Sequence, residues 1–172
     1  TGNFGNILAA YYAREMGLPI DQLICASNSN NVLTDFIREG IYDRNRTFHN
    51  TMSPSMDILI SSNLERLLLA LTQDTEEVKR YMAQLAETGR YQVSDSVKTK
   101  LQKRFKGYFC DDKETQRMIR AVYEKHGYLI DTHTAVAFSA LEQYRRETED
   151  GAPAIVASTA SPFKFCASVL EA

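Results

Sequence analysis

The sequence predicts an α/β fold, rich in helix, with an incomplete parallel sheet. Three observations carry this. The chain opens on a helix–strand–helix succession, the grammar of a βαβ sheet. A second buried-strand pattern, Ala154-Ile155-Val156-Ala157, stands near its end, and most of the intervening chain has helical periodicity. Two strands are too few for an independent doubly wound sheet. The chain therefore reads as one unit, residues 1–172, forming the C-terminal portion of a larger domain whose remaining strands lie elsewhere.

Taken in order, Asn6 to Met16 predicts a helix, with Ile7, Leu8, Tyr11 and Tyr12 as its apolar stripe and Gly17 as its stop. Pro19 and Asp21 make a turn into a short strand, Gln22 to Ser27. Asn28-Ser29-Asn30-Asn31 caps a helix from Val32 to Glu39 that Gly40 ends. Tyr42 to Met56 is irregular and polar, and Met56 to Leu71 is an apolar helical pattern interrupted near Ser61-Ser62-Asn63. Thr75 to Glu87 is amphipathic, capped by Asp74 or Thr75. Ser94 to Phe105 is a short basic helix, Asp111-Asp112 caps Thr115 to Lys125, and Asp131 or Thr132 opens His133 to Tyr144. Ser158 to Pro162 turns the last strand into a final short helix.

Composition narrows the function. Forty-four per cent hydrophobic residues in 172 supports a real core. Twenty Lys plus Arg against 22 Asp plus Glu leaves a net charge of −2, which disfavours nucleic acid or an anionic membrane as partner. No apolar run approaches the length of a membrane span, and the opening residues lack the pattern of a signal peptide. Cys25, Cys110 and Cys166 are odd in number and lack a CxxC spacing, which fits a reducing, cytoplasmic setting and no metal centre.

Three polar loops carry the chemistry. Gly2-Asn3-Phe4-Gly5-Asn6 feeds a helix N-terminus, where unpaired N–H groups and the positive end of the helix dipole suit a phosphate. Gly2 and Gly5 permit left-handed or closely approaching backbone there; the alternative is a plain turn. A chain that begins inside such a loop implies a preceding strand. Ser27 to Asn31 lies at the carboxyl end of a strand, where ligands of α/β sheets gather, although these residues also suit simple capping. Ser158 to Ser161 is the third loop. The Lys98, Lys100, Lys103, Arg104 and Lys106 cluster reads either as an anion-binding face or as a solvated helix. His49 and His126 read as structural.

The sequence resembles the threonine synthase family of fold-type II pyridoxal-phosphate enzymes, which have the large domain of the tryptophan synthase β type. The resemblance rests on Thr1-Gly2-Asn3-Phe4-Gly5-Asn6-Ile7-Leu8-Ala9, on Ala26-Ser27-Asn28-Ser29-Asn30-Asn31-Val32-Leu33-Thr34-Asp35-Phe36, on Ser53-Pro54-Ser55-Met56-Asp57-Ile58, on Asp131-Thr132-His133-Thr134-Ala135-Val136 and on Ala157-Ser158-Thr159-Ala160-Ser161-Pro162-Phe163-Lys164-Phe165. These blocks run in family order through nearly the whole chain and resemble the C-terminal portion of the family.

The resemblance implies a lyase of amino-acid (threonine) biosynthesis that converts O-phospho-L-homoserine and water to L-threonine and phosphate, with pyridoxal 5'-phosphate as electron sink. It implies that Gly2, Asn3, Phe4, Gly5 and Asn6 hold the cofactor phosphate and that Thr159 sits against the pyridine nitrogen. Ser27, Asn28, Ser29 and Asn30 are the candidates for the substrate phosphate, with the Ser53-Pro54-Ser55 loop as another. The family's Schiff-base lysine lies upstream of the Gly2 loop and has no counterpart among the lysines here, so the fragment alone is expected to be inactive. Thr132, Ser161 and Phe163 stand where the family usually has Pro, His and Ala. The competing readings are another fold-type II lyase, dehydratase-like or phosphate-releasing, and a non-catalytic α/β binding domain. Exposed sheet edges predict self-association of the isolated piece.

Overall fold

A two-stranded parallel sheet forms the centre of the computed structural model, which describes residues 2–172. Thr1, the first residue of the family-like blocks, lies outside the described residues. Strand β1 (Leu23–Ser27) pairs with β4 (Phe105–Phe109) in the register Leu23–Phe105 to Ser27–Phe109. Successive side chains of a strand face opposite ways, so two cores form. Leu23, Cys25 and Phe105 bury against α1 (Gly5–Glu15) and α2 (Val32–Glu39). Ala26 and Tyr108 bury against Val136, Ala140 and Tyr144 of α7 (Thr132–Thr148). The sheet thus carries helices on both faces, as its apolar runs require.

Helix α2 has the predicted bounds, and Gly40 ends it in the left-handed conformation at φ 76°. Its N-cap, Asn31, makes no side-chain cap hydrogen bond; Asn31 Oδ1 accepts instead from Arg46 Nη1 at 3.0 Å. Helix α3 (Leu64–Thr72) begins where the sequence suggested an interruption, so residues 57–63 are not helical. Tyr42 sets this boundary: its hydroxyl donates to Leu59 O at 3.0 Å and accepts from Ser61 N at 2.9 Å. Burial pushes the Tyr42 phenol up to about 12. Asp74, Ser94, Asp111 and Asp131 cap α4 (Thr75–Thr88), α5 (Asp95–Arg104), α6 (Asp112–His126) and α7 through their side chains.

The strand predicted at Ala154–Ala157 is not one. Residues 151–159 have no regular structure and Ile155 is 100% exposed. A strand needs a neighbour for its backbone groups, and among the described residues none lies beside this segment. The real second strand, β4, begins at the residue after α5 ends, and its Lys106 and Gly107 hide it from a hydrophobic pattern. A small antiparallel pair, β2 (Ile41–Asp43) with β3 (Arg90–Gln92), closes the structure around stacked Tyr42 and Tyr91 rings 5.3 Å apart. A final short helix, α8 (Cys166–Leu170), ends the fold.

Gly107 is where helix α2 meets the sheet. A Cβ there would lie 2.9 Å from Thr34 Cα and 3.1 Å from Thr34 O, both backbone atoms of α2. Thr34 Oγ1 also donates to Tyr108 O at 3.1 Å. Gly107→Ala is expected to force the helix off the sheet and destabilise the protein by about 1–3 kcal/mol, read as a lower midpoint in urea unfolding; an unchanged midpoint would show that α2 can shift freely.

Candidate functional site

The Gly2 loop enters α1 through a left-handed Phe4, at φ 61° and fully buried. The positive φ therefore falls on Phe4 and not on Gly5, because the core holds its ring against Phe105, with centroids 5.7 Å apart. Gly5 is the first helical residue. Gly2 serves close approach instead: a Cβ there would meet Ser55 O at 2.8 Å and Met56 Cα at 3.1 Å. The start of α1 has no side-chain cap and no acidic residue in its first turn, and Asn3, Gly5 and Asn6 are exposed. This donor set suits an anion, so the chain's own residues fit a phosphate.

The segment that Gly2 rests on is held from the other side by the strand-end asparagines. Asn28 Nδ2 donates to Asp57 Oδ1 and to Thr51 Oγ1, each at 2.8 Å, and reaches Ser53 Oγ at 3.0 Å. Asn30 Nδ2 donates to Asp57 Oδ1 at 3.0 Å and to His49 O at 2.8 Å, and Asn30 Oδ1 accepts from His49 N at 2.9 Å. Thr51 gives Asp57 its hydroxyl at 2.7 Å and its backbone N–H at 3.0 Å. Asn28, Asn30 and Ser53 are buried, so these bonds replace water for groups that would otherwise be unsatisfied.

The third loop joins through the start of α7. Ser55 N–H donates to His133 Nε2 at 3.0 Å, which leaves the proton on Nδ1, 3.2 Å from Asp131 Oδ1. Thr134 Oγ1 bonds Asp131 Oδ2 and lies 2.9 Å from Ser158 Oγ. His133 also packs on Phe165, with ring centroids 4.7 Å apart. Thr159, next to Ser158, is exposed. Ser161 Oγ accepts from Phe163 N at 3.4 Å, and the Phe163 ring is largely exposed.

The three loops singled out in the sequence are thus linked: the Thr51–Asp57 segment neighbours the first two, and the start of α7 ties it to the third. Asn28 and Asn30 act neither as helix caps nor as open ligands, because their amides serve this segment. Ser27 is buried at the end of β1, where its carbonyl accepts from Cys110 N at 3.1 Å, and Ser29 is half-buried. Sequence reasoning missed Thr51, Asp57 and Thr134 as organising residues and took Asp131 for a cap alone. The signal available was a lone Asp inside Ser53-Pro54-Ser55-Met56-Asp57, in a segment with no periodicity of its own. Of the basic cluster, Lys100 Nζ donates to Leu71 O at 2.8 Å and the Lys98 stem lies against Gly40, which favours a structural role for both. His126 is the last residue of α6, before a left-handed Gly127. A groove of about 480 Å³ beside the end of β4, lined by Arg117, Glu142 and Arg146, touches none of the three loops.

The comparisons follow this geometry. A family described as "Threonine synthase, C-terminal" matches residues 134–172. "Threonine synthase-like 1" of Homo sapiens is 44% identical over all of this chain, which covers 23% of that protein. The crystal structure of threonine synthase from yeast is 38% identical at a TM-score of 0.94, with 99% of this chain and 36% of that one matched. The X-ray structure of PLP-bound threonine synthase from Brucella melitensis is 40% identical at a TM-score of 0.92, again over 99% of this chain and 36% of that one. The chain therefore spans about a quarter to a third of the length of these relatives.

Asp131 gives the cluster a pH dependence. Burial alone would raise its carboxyl, but hydrogen bonds from the side chains and backbone N–H groups of His133 and Thr134 outweigh that and hold it below the usual carboxylate range. A depressed folded-state pKa adds stability that is present above the unfolded value of about 3.9 and is lost as pH falls through the folded value. The stability gap between the wild type and Asp131→Asn is expected to be largest near neutral pH and to narrow below about pH 4. Urea unfolding at pH 7 and pH 3 checks this, and a gap independent of pH would contradict it.

Proposed function

The chain has the fold and sequence pattern of the C-terminal portion of threonine synthases, and from that premise we propose that the protein containing it converts O-phospho-L-homoserine and water to L-threonine and phosphate with pyridoxal phosphate. The observation that carries the reading is that an uncapped helix start and a strand end meet on one irregular segment, which the start of α7 ties to the Ser158 turn. An anion site and a hydroxyl-bearing turn, linked in this way, suit the two ends of one elongated cofactor. The PLP-bound relative at 40% identity supports the choice of cofactor.

In this proposal the backbone N–H groups of Gly2, Asn3, Phe4, Gly5 and Asn6 hold the cofactor phosphate. The Thr159 hydroxyl faces the pyridine nitrogen and, being neutral, leaves that nitrogen largely unprotonated. Bound pyridoxal phosphate supplies an electron sink for the proton shifts, the loss of phosphate and the addition of water. Asn28 and Asn30 position the Thr51–Asp57 segment, which leaves Ser27 and Ser29 as the candidates for the substrate phosphate. The Schiff-base lysine belongs to a part of the protein outside this chain, since no lysine here stands in the matching context of the family. The 172-residue chain is thus one part of the cofactor-binding domain and inactive alone. Self-association of the isolated chain through a sheet edge belongs to the same proposal. The whole protein works in the cytoplasm.

A second reading is favoured by one observation. Ser161 and Phe163 depart from the family pattern beside Thr159. That reading keeps the cofactor and changes the product.

The test is an assay of the full-length protein with pyridoxal phosphate and O-phosphohomoserine, with the 172-residue chain run alongside. Equal amounts of threonine and phosphate are expected from the full-length protein only. Phosphate without threonine, or ketobutyrate, would select the second reading. No visible absorption band from bound cofactor in the full-length protein would overturn both.

A further inference from the structure

Asp131 stands between the two ends of the proposed cofactor site. Its side chain is buried, and its two carboxylate oxygens serve different partners. Oδ1 faces His133 Nδ1 at 3.2 Å and also accepts from His133 N at 2.9 Å and Thr134 N at 3.3 Å. Oδ2 accepts from the Thr134 hydroxyl. Beyond His133 lies Ser55 N, and beyond Ser55 O lies Gly2 of the phosphate loop. Beyond Thr134 lies Ser158 Oγ, the neighbour of Thr159.

An ionised carboxylate only accepts, and this fixes the direction of every bond in both arms. His133 must donate from Nδ1, so its Nε2 accepts from the Ser55 N–H. Thr134 must donate to Asp131, so its oxygen accepts from the Ser158 hydroxyl. Both chains of donors therefore point inward to one charge. A group that only capped α7 would need the bonds from His133 N and Thr134 N and nothing more. The two outward arms exceed that need, and each ends at a different loop.

We infer that Asp131 is a positioning residue that couples the phosphate loop, through His133 and Ser55, to the Ser158–Thr159 turn, through Thr134, and so sets the spacing between the two ends of the cofactor site. This rests on the function proposed above and assigns a residue that touches neither end.

The experiment uses the full-length protein and pyridoxal phosphate itself. The bound cofactor's phosphorus-31 chemical shift reads the phosphate end, and its visible absorption maximum reads the ring end. Amide exchange of Ser55 and of residues 157–160 without cofactor reads the coupling alone. Asp131→Asn keeps the size and capping capacity but ends the all-acceptor pattern. It is expected to move both cofactor signals, weaken binding by about tenfold and speed exchange in both segments. His133→Leu should move the phosphorus signal alone, with His133→Gln restoring it in part by offering Ser55 an acceptor. Thr134→Val, which keeps the shape and removes the hydroxyl, should move the absorption maximum alone. If Asp131→Asn lowers Tm while both signals and the affinity stay at wild-type values, Asp131 is a cap only and the inference is overturned. If each single-arm variant moves both signals alike, the two-arm coupling is overturned. A wild type that binds no pyridoxal phosphate overturns the proposed function and this inference with it, whereas unmoved variants in a binding wild type overturn this inference only.

Discussion

The carboxylate of Asp57 is the acceptor around which the loops of this protein are arranged. It takes hydrogen bonds from Asn28, Asn30 and both donor groups of Thr51, and so fastens an irregular segment to the end of β1. Without these bonds, Thr51–Asp57 would have no regular structure to hold it, since only Pro54–Met56 makes a single 3₁₀ turn. Because the segment is fixed, Ser55 can present its carbonyl to Gly2 and its N–H to His133. The anion-suited start of α1 and the turn after α7 are then parts of one arrangement. Side-chain hydrogen bonds perform here the task that a strand performs elsewhere in the fold.

The sheet supplies the rigid frame for that arrangement. Its two strands are short, yet each is buried on both faces, and the close approach of α2 at Gly107 leaves little freedom between helix and strand. The Arg38 guanidinium donates to Gly107 O at 3.0 Å and adds a second tie at the same point. The carboxyl end of β1 therefore delivers Ser27, Asn28 and Asn30 to fixed positions, as the strand ends of α/β sheets commonly do for ligand-binding residues.

Much of this was legible in the sequence because it depends on local rules. Periodicity and capping residues gave α1, α2, α4, α6 and α7, and Gly40 and Gly127 mark helix ends as their positive φ angles require. The three loops were legible as polar punctuation at element ends. What escaped was non-local. Strand β4 is hidden by Lys106, which sits at a half-buried position, and by Gly107, whose role depends on Thr34 far away in sequence. Ala154–Ala157 has the composition of a strand without a neighbour to pair with among the described residues. Asp57 and Asp131 looked like ordinary loop and cap residues, because what distinguishes them is the set of partners brought in from other segments. Phe4 took the left-handed conformation expected of a glycine because burial of its ring outweighs the backbone cost.

The measurement that tests the account most directly is amide hydrogen exchange on the full-length protein with and without pyridoxal phosphate. If the three loops form one site joined by the Thr51–Asp57 segment, the amides of residues 2–8, 53–56 and 157–160 slow together when the cofactor binds. Slowing confined to one of these segments, or absent from all three while the cofactor is bound, would contradict the account.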